Sequence, residues 1–163
     1  MSLNAAKYPE LVARIAAEGH EIANHTHDHL WLDSAAANVI AEQIRSAEEI
    51  IEGYSAGRWF RPPRGWTNHE VAREARDQGL RSVFWSGSFE GHQAKGVAEA
   101  TRIVVEDASP GAIILCHDGG RLDGPNPQDV DRSRTVEALP GILSGLLAKQ
   151  LSPVSLTRLI GPQ

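Results

Sequence analysis

The 163-residue chain has little of what marks a disulfide-rich or membrane protein. Its single cysteine, Cys116, excludes an internal disulfide framework and lies in the apolar run "AIILC", where a free thiol usually packs as a small core side chain. No apolar run approaches the length of a membrane span, and "MSLNAAKYPELV" lacks the basic region and apolar stretch of a signal peptide. We therefore expect a cytoplasmic protein from the chain as written, with an extracellular location for a longer gene product.

Positively charged residues are fewer than negatively charged ones: the chain has 16 Lys and Arg residues and 21 Asp and Glu residues, for a formal net charge of −5. The cations are scattered singly, so the chain shows no electrostatic footprint for nucleic acid or an anionic membrane. Hydrophobic residues make up 41% of the chain, which suits one globular domain over residues 1–163. The composition favours a small or neutral partner.

Hydrophobic periodicity predicts alternating helices and strands. Helices are expected from Pro9 to Gly19, from Ser34 to about Ile51, from the capping-box stretch Thr67 to Glu70 as far as "DQG", over 96–108 and over 133–149. Pro140 should kink the last helix or mark its real start. The expected strands are "HEIAN", "RWF", "RSVFW", "AIILC" and "SPVSLTRLI". This alternation is typical of βα units around a parallel sheet, open or barrel-shaped, whose functional groups lie in the loops after the strands.

Histidines are concentrated in one stretch, because four of the seven lie between His20 and His29. If a helical turn follows Asn24, His25 and His29 project from one side and can share a metal ion. If the strand continues through residue 29, His25, His27 and His29 all face one way. Both geometries predict a metal site, and the alternative is a polar surface loop with capping histidines.

Two further polar motifs follow predicted strands. "FRPPRG", residues 60–65, is a rigid turn that can aim a backbone N–H at an oxyanion, although such turns are also common connectors. Its Arg61 is either a surface charge or a residue that orients a carboxylate. "ILCHDGG" places His117 and Asp118 directly after the most apolar predicted strand, a position typical of catalytic groups and also of hydrogen-bonded structural histidines.

Together these motifs resemble those of the polysaccharide deacetylase family, also called the NodB homology domain or carbohydrate esterase family 4. "HTHDH" is similar to the family's His-(Ser/Thr)-x-x-His metal motif, "FRPPRG" to its Arg-Pro-Pro-Tyr-Gly segment, and "ILCHDGG" to its Leu-x-His-Asp strand. The resemblance covers residues 8–160. It implies an α/β fold, a distorted parallel (β/α) barrel of the NodB type. It also implies a metal-dependent hydrolase of carbon–nitrogen bonds other than peptide bonds, which removes N-acetyl or O-acetyl groups from a chitooligosaccharide, peptidoglycan or related polysaccharide.

The resemblance also implies roles for individual residues. His25 and His29 would bind a divalent metal, most often zinc, with cobalt or nickel as alternatives. Arg61 would orient a carboxylate base, the backbone N–H of Arg64 would contribute to the oxyanion hole, and His117 would be the general acid. Zinc at such a site activates water at neutral pH and polarises the acetyl carbonyl, while the acid protonates the leaving group.

The chain departs from the family pattern in several places. It begins downstream of the family's Thr-Phe-Asp-Asp-Gly strand, whose aspartates supply the base and the third metal ligand, so the resemblance implies an N-terminally truncated domain with an incomplete barrel. "WSGSFEGH" replaces the Asp-x-x-Asp-Trp segment that tunes the acid histidine, unless Glu90 substitutes. Arg64 replaces the usual aromatic residue. Replacement metal ligands could come from Asp28, Asp118 or Asp123.

Three functions therefore stay open. The chain is part of a deacetylase, or a non-catalytic metal- or sugar-binding descendant of the same fold, or a different metallohydrolase that uses His25, His27 and His29. Missing strands would expose an unpaired sheet edge and an apolar helix face. We therefore expect a homo-oligomer, or dependence on a partner segment.

Overall fold

The structure, a computed structural model, describes residues 1–90, 94–120 and 131–161. These residues form two compact units, one from Met1–Phe84 with the segment that begins at Ser155, the other within Trp85–Val154. Each unit has its own parallel sheet and its own hydrophobic core. In the described part of the chain, no helix combines the length and the apolar character that crossing a membrane requires. One domain over residues 1–163 stays a prediction.

The elements alternate largely as the periodicity predicts. In chain order they are α1 (Ser2–Lys7), α2 (Pro9–Ala17), β1 (Ile22–Asn24), α3 (Ala37–Ile51), β2 (Ser55–Phe60), α4 (His69–Asp77), β3 (Arg81–Ser82), β4 (Gly87–Ser88), α5 (Val97–Asp107), β5 (Ile114–Leu115), α6 (Ser133–Ala148) and α7 (Leu156–Ile160). Two 3-10 turns, Leu32–Ser34 and Pro63–Gly65, lie in the loops after β1 and β2. The protein is therefore mixed α/β with short strands.

The first unit is held by packing of α3 and α4 against a sheet of order β1-β2-β3, in which both pairings are parallel. Buried residues of α3 recur at helical spacing and face the sheet. Its core consists of Leu32, Ile40, Ile44, Phe60, Val71, Ala75 and Leu80. Since β1 and β2 are adjacent and parallel, the loops that follow them leave the sheet at the same edge.

The second unit also combines a parallel sheet with packed helices, but it has fewer elements. Its sheet pairs β4 with β5 in parallel, and α5 packs on α6. The core is formed by Phe89, Ala100, Val104, Ala108, Ala138, Ile142 and Leu146. The Lys149 ammonium after α6 donates to the carbonyls of Val105, Glu106 and Ala108 and so satisfies the C-terminal end of α5.

One predicted element has the wrong type. The segment "SPVSLTRLI" was expected to be a strand, and residues Leu156–Ile160 are instead α7. The Ser155 hydroxyl accepts the N–H of Arg158, and the Glu21 carboxylate accepts the N–H of Thr157 at 3.1 Å. An anion and a capping hydroxyl at the first turn stabilise a short helix that periodicity alone does not identify.

Other differences concern boundaries. The cap of α4 is Asn68, whose side chain accepts the N–H of Val71, rather than the predicted Thr67. Pro140 lies inside α6, so it does not mark the start of that helix. The side chains of β5 are partly exposed, although the run "AIILC" predicts a buried strand. Neither α1 nor β4 was predicted, since both are too short for a periodic signal.

Candidate functional site

The histidine motif lies in the loop after β1, and a buried asparagine shapes that loop. The Asn24 amide donates to the Ile44 carbonyl at 2.9 Å, and its oxygen accepts the N–H of Thr26 at 2.9 Å. Thr26 and His29 have φ of 65° and 64°, in the left-handed region that non-glycine residues seldom adopt. The Thr26 hydroxyl accepts the N–H of His29 at 3.2 Å. Two left-handed residues therefore fold residues 25–29 back on themselves.

This loop brings His25 and His29 together. Their ring centroids are 5.0 Å apart, with 71° between the ring planes. The loop is neither the helical turn nor the continuing strand that the spacing allowed. His27 does not join the pair. Its ring Nδ1 lies 3.0 Å from the Ser2 hydroxyl, and its backbone N–H donates to the carbonyl of Gln43. The geometry thus gives no support to a three-histidine site.

The environment of His25 suits a metal ligand. Its Nδ1 lies 2.5 Å from the carbonyl oxygen of Arg61, so Nδ1 carries the proton and donates, which leaves Nε2 as the ligating atom. Burial, aided by nearby positive charges and opposed by the hydrogen bond to the Arg61 carbonyl, lowers the pKa of His25 to about 4. The imidazole is therefore neutral at pH 7, the form that binds metals.

The loop after β2 supplies both candidate arginines. The Arg61 N–H donates to the carbonyl of Asn24 at 2.9 Å, which joins this loop to the histidine loop, and burial lowers the pKa of its guanidinium. Arg64 has φ of 59° within the turn that two buried prolines begin. Its Nη1 donates to the His29 carbonyl at 3.1 Å. The first unit thus places His25, His29, Arg61 and Arg64 in two adjoining loops.

The second unit places His117 with Glu90. These residues follow the adjacent parallel strands β5 and β4, so both emerge at the same edge of their sheet. The Glu90 carboxylate accepts the backbone N–H of His117 at 2.9 Å, and it also lies 3.2 Å from the ring Nδ1 of His117. Cys116 is half-buried in this unit, and burial, with the Glu90 charge, raises the pKa of its thiol.

The set of metal ligands is incomplete in the described part of the chain. Among residues 1–90, 94–120 and 131–161, no three His, Cys, Asp or Glu side chains lie close enough to share a metal ion. Asp28 does not complete the histidine pair, Asp118 is exposed in the second unit, and Asp123 lies outside the described residues. The neutral, carbonyl-anchored imidazole of His25 beside His29 fits a divalent cation, and these two residues would supply only part of its coordination.

Comparison with known proteins identifies the family. A family model described as "Polysaccharide deacetylase" matches residues 1–83, about half of the chain. The chain belongs to the polysaccharide deacetylase family. A polysaccharide deacetylase relative, the peptidoglycan-N-acetylglucosamine deacetylase of Bacillus cereus, is 33% identical over 155 residues, which is 93% of this chain and 68% of that protein.

Two further comparisons also cover most of the chain. The chitooligosaccharide deacetylase of Azorhizobium caulinodans is 33% identical over 150 residues, 89% of this chain and 71% of that one. A solved family 4 carbohydrate esterase from Streptomyces lividans, in complex with acetate, superposes with a TM-score of 0.81 and 24% identity over all of this chain and 81% of that one. The resemblance found in the sequence and the NodB-type α/β fold are therefore confirmed.

Proposed function

We propose that the chain deacetylates an acetylated carbohydrate, with His25 and His29 as metal ligands and His117 as the general acid. The observation that carries this proposal is the pairing of His25 with His29, with the Nδ1 of His25 held by the carbonyl of Arg61. Relatives named as deacetylases of peptidoglycan and of chitooligosaccharide support the same substrate class. Zinc is the metal we expect.

The residues of the first unit would position the acetyl group. His25 and His29 would hold a divalent metal, which would supply Lewis acidity toward the acetyl carbonyl and toward water. The backbone N–H of Arg64 would donate to the oxyanion that forms on the acetyl carbonyl, because the rigid prolyl turn orients this peptide. Arg61, partly buried beside His25, would orient a carboxylate base.

Glu90 takes part through His117. Its carboxylate only accepts hydrogen bonds, so its 3.2 Å contact assigns a proton to His117 Nδ1. A second proton on Nε2 is then available for the leaving amine or alcohol. We propose that Glu90 substitutes for the aspartate that has this role in the family pattern.

The base must come from a residue that these motifs do not contain. No Asp-Asp pair occurs anywhere in the 163 residues, and the family places its base and third metal ligand on such a pair. Among the described residues of the first unit, Asp28 does not complete the histidine pair, and Asp118 belongs to the second unit. Activity of this chain therefore depends on whether another carboxylate reaches the metal.

Acetate release tests the proposal directly. Purified chain with zinc or cobalt is incubated with tetra-N-acetylchitotetraose or an N-acetylated peptidoglycan fragment, and free acetate is measured enzymatically. We expect His29→Ala to abolish release and His117→Ala to lower it by about 10²- to 10⁴-fold, the usual contribution of a general acid. His20→Ala, an exposed histidine outside the loop, is the matched control and should release acetate at the unaltered rate.

A second candidate is a non-catalytic family member that binds a metal or a sugar. The incomplete ligand set of the described residues favours it. Zinc and sugar binding with no acetate release under any metal would establish this candidate over the first. Release that His29→Ala abolishes would exclude it.

A further inference from the structure

Two exposed tryptophans lie in the two loops that carry the candidate site residues of the first unit. Trp31 is 52% exposed and Trp66 57% exposed, and their ring centroids are 6.4 Å apart with 51° between the ring planes. Trp31 follows His29 by two residues, and Trp66 follows Arg64 by two, so both rings belong to the loops of the candidate site. Exposed aromatic surface next to a functional site commonly marks a binding surface.

Both rings are held in place by their loops. The Arg64 guanidinium lies 4.1 Å from the centre of the Trp31 ring while its Nη1 donates to the His29 carbonyl. The side-chain amide of Asn68 donates to the Asp33 carbonyl at 3.0 Å, which joins the loop of Trp66 to the loop of Trp31. A surface fixed in this way loses little entropy when a ligand binds.

The shape and chemistry of this surface match a sugar ring. The faces of a pyranose carry C–H groups that pack on a flat indole, and its hydroxyl rim needs hydrogen-bond partners. Arg64 supplies such donors at the edge of the pair, and no ion pair among the described residues uses its guanidinium. Two indoles are far smaller than the roughly 800 Å² per partner of a stable protein interface, which disfavours a second copy of the chain as occupant.

We propose that Trp31 and Trp66 form a stacking subsite for a pyranose ring linked to the acetylated sugar. The substrate is then an oligosaccharide or polysaccharide, because a monosaccharide cannot occupy the reacting position and the tryptophan pair together. This inference rests on the proposed function, since it takes the reacting sugar to lie at the histidine pair.

Binding to metal-free protein tests the subsite without catalysis. The ¹⁵N-labelled chain is titrated with N-acetylglucosamine and with tri-N-acetylchitotriose while the indole N–H resonances are followed. We expect the trisaccharide to bind more tightly and to shift the Trp31 and Trp66 resonances. The Trp59 indole is an internal control that should not move, because that residue is 2% exposed and its Nε1 donates to the Thr157 hydroxyl.

Variants assign the effect to the two rings. Trp31→Ala and Trp66→Ala should each weaken trisaccharide binding by about two- to tenfold, as expected for loss of one aromatic contact. Trp31→Phe should restore most of the affinity. Tyr54→Ala is the matched control, since Tyr54 is 38% exposed and lies before β2 rather than after it.

Three results would overturn the subsite. They are equal affinity for the two sugars, unchanged trisaccharide affinity in both alanine variants, and indole shifts that follow protein concentration without sugar, which would indicate a second copy on this surface. Length-dependent binding without acetate release would support the subsite and refute the deacetylase proposal. Acetate release with the same kcat/KM for mono- and trisaccharide would do the reverse, so the two failures are distinguishable.

Discussion

The protonation of His25 follows from its burial beside the carbonyl of Arg61. Its pKa of about 4, against 6.5 ordinarily, means that folding disfavours the imidazolium form. An isolated histidine in a loop would be partly protonated near pH 6.5 and would bind metals less well there. The fold therefore keeps this imidazole neutral over the whole physiological range.

A stability measurement tests this pKa in metal-free protein. Between pH 6.5 and 4 the unfolded chain binds a proton at His25 that the folded chain does not. The free energy of unfolding should therefore decrease as the pH is lowered from 6.5 to 4, by up to about 3 kcal/mol in total. Urea unfolding with a chelator present, at several pH values from about 4 to 7.5, measures this slope. His25→Asn should have a shallower slope and His20→Asn an unaltered one. Identical slopes in wild type and His25→Asn would refute the lowered pKa.

Metal affinity tests the pairing of the histidines. His25→Ala and His29→Ala should each weaken zinc binding by more than about a hundredfold, since loss of an outer-shell partner alone costs 10–100-fold. His27→Ala should bind zinc as the wild type does, because its ring contacts Ser2 instead. Equilibrium dialysis followed by elemental analysis gives the bound zinc. A parallel loss in His27→Ala would restore the three-histidine site.

At the scale of elements, the start of α4 shows how one side chain serves two purposes. Asn68 caps the helix through the N–H of Val71, and its amide also donates to the Asp33 carbonyl. The helix that packs into the first core therefore begins at the residue that joins the two loops of the candidate site. The capping-box spacing correctly predicts a helix here but assigns the cap to the neighbouring Thr67.

Substitution distinguishes the two caps. Asn68→Ala should lower the free energy of unfolding by about 1 to 2 kcal/mol, as expected for loss of a cap, while Thr67→Ala should change it by less than about 0.5 kcal/mol. Urea denaturation at pH 7 measures both differences. Equal effects of the two substitutions would mean that the capping box of Thr67 and Glu70 operates in solution.

At the scale of the whole molecule, α6 presents an apolar stripe to solvent in the second unit. It consists of Val136, Leu139, Leu143 and Leu147, which are 70%, 45%, 40% and 59% exposed and repeat at helical spacing. Contiguous apolar surface of this kind favours association. The homo-oligomer expected from the sequence stays a prediction, and we expect this stripe to be the contact surface between copies of the chain.

Light scattering after size-exclusion chromatography tests the association. The wild-type chain should have a mass well above 17.7 kDa, and the double substitution Leu143→Gln with Leu147→Gln should shift it towards that monomer mass. Both side chains lie on the exposed face, so the second core should stay intact. A wild-type chain that is monomeric at high concentration would rule out self-association.

Local patterns predicted the helices better than the strands. In the helices α2, α3 and α5, apolar residues recur at helical spacing over several turns, and the observed bounds of these helices lie close to the expected ones. The strands β3 and β5 were expected within "RSVFW" and "AIILC" but have only two residues each, and β4, also of two residues, is too short to give a periodic signal. The segment of α7 was predicted to be a strand. Its helix depends on Glu21, which accepts a hydrogen bond at the first turn from more than 130 positions away, so the local sequence does not indicate it.

Residue types and their order along the chain were enough to establish the family, because its motifs are short, local and follow strands in a fixed sequence. The family motif predicted that His25 and His29 act together, whereas the spacing alone also allowed His27. The tertiary structure decided that the rings of His25 and His29 meet without His27, since that geometry depends on the bond from Asn24 to Ile44 of α3 and on two left-handed residues in one loop. It also decided that Glu90 meets His117 and that Trp31 meets Trp66. Such contacts join residues about 25 or more positions apart, and only the pairing of parallel strands and the packing of their loops brings these residues together.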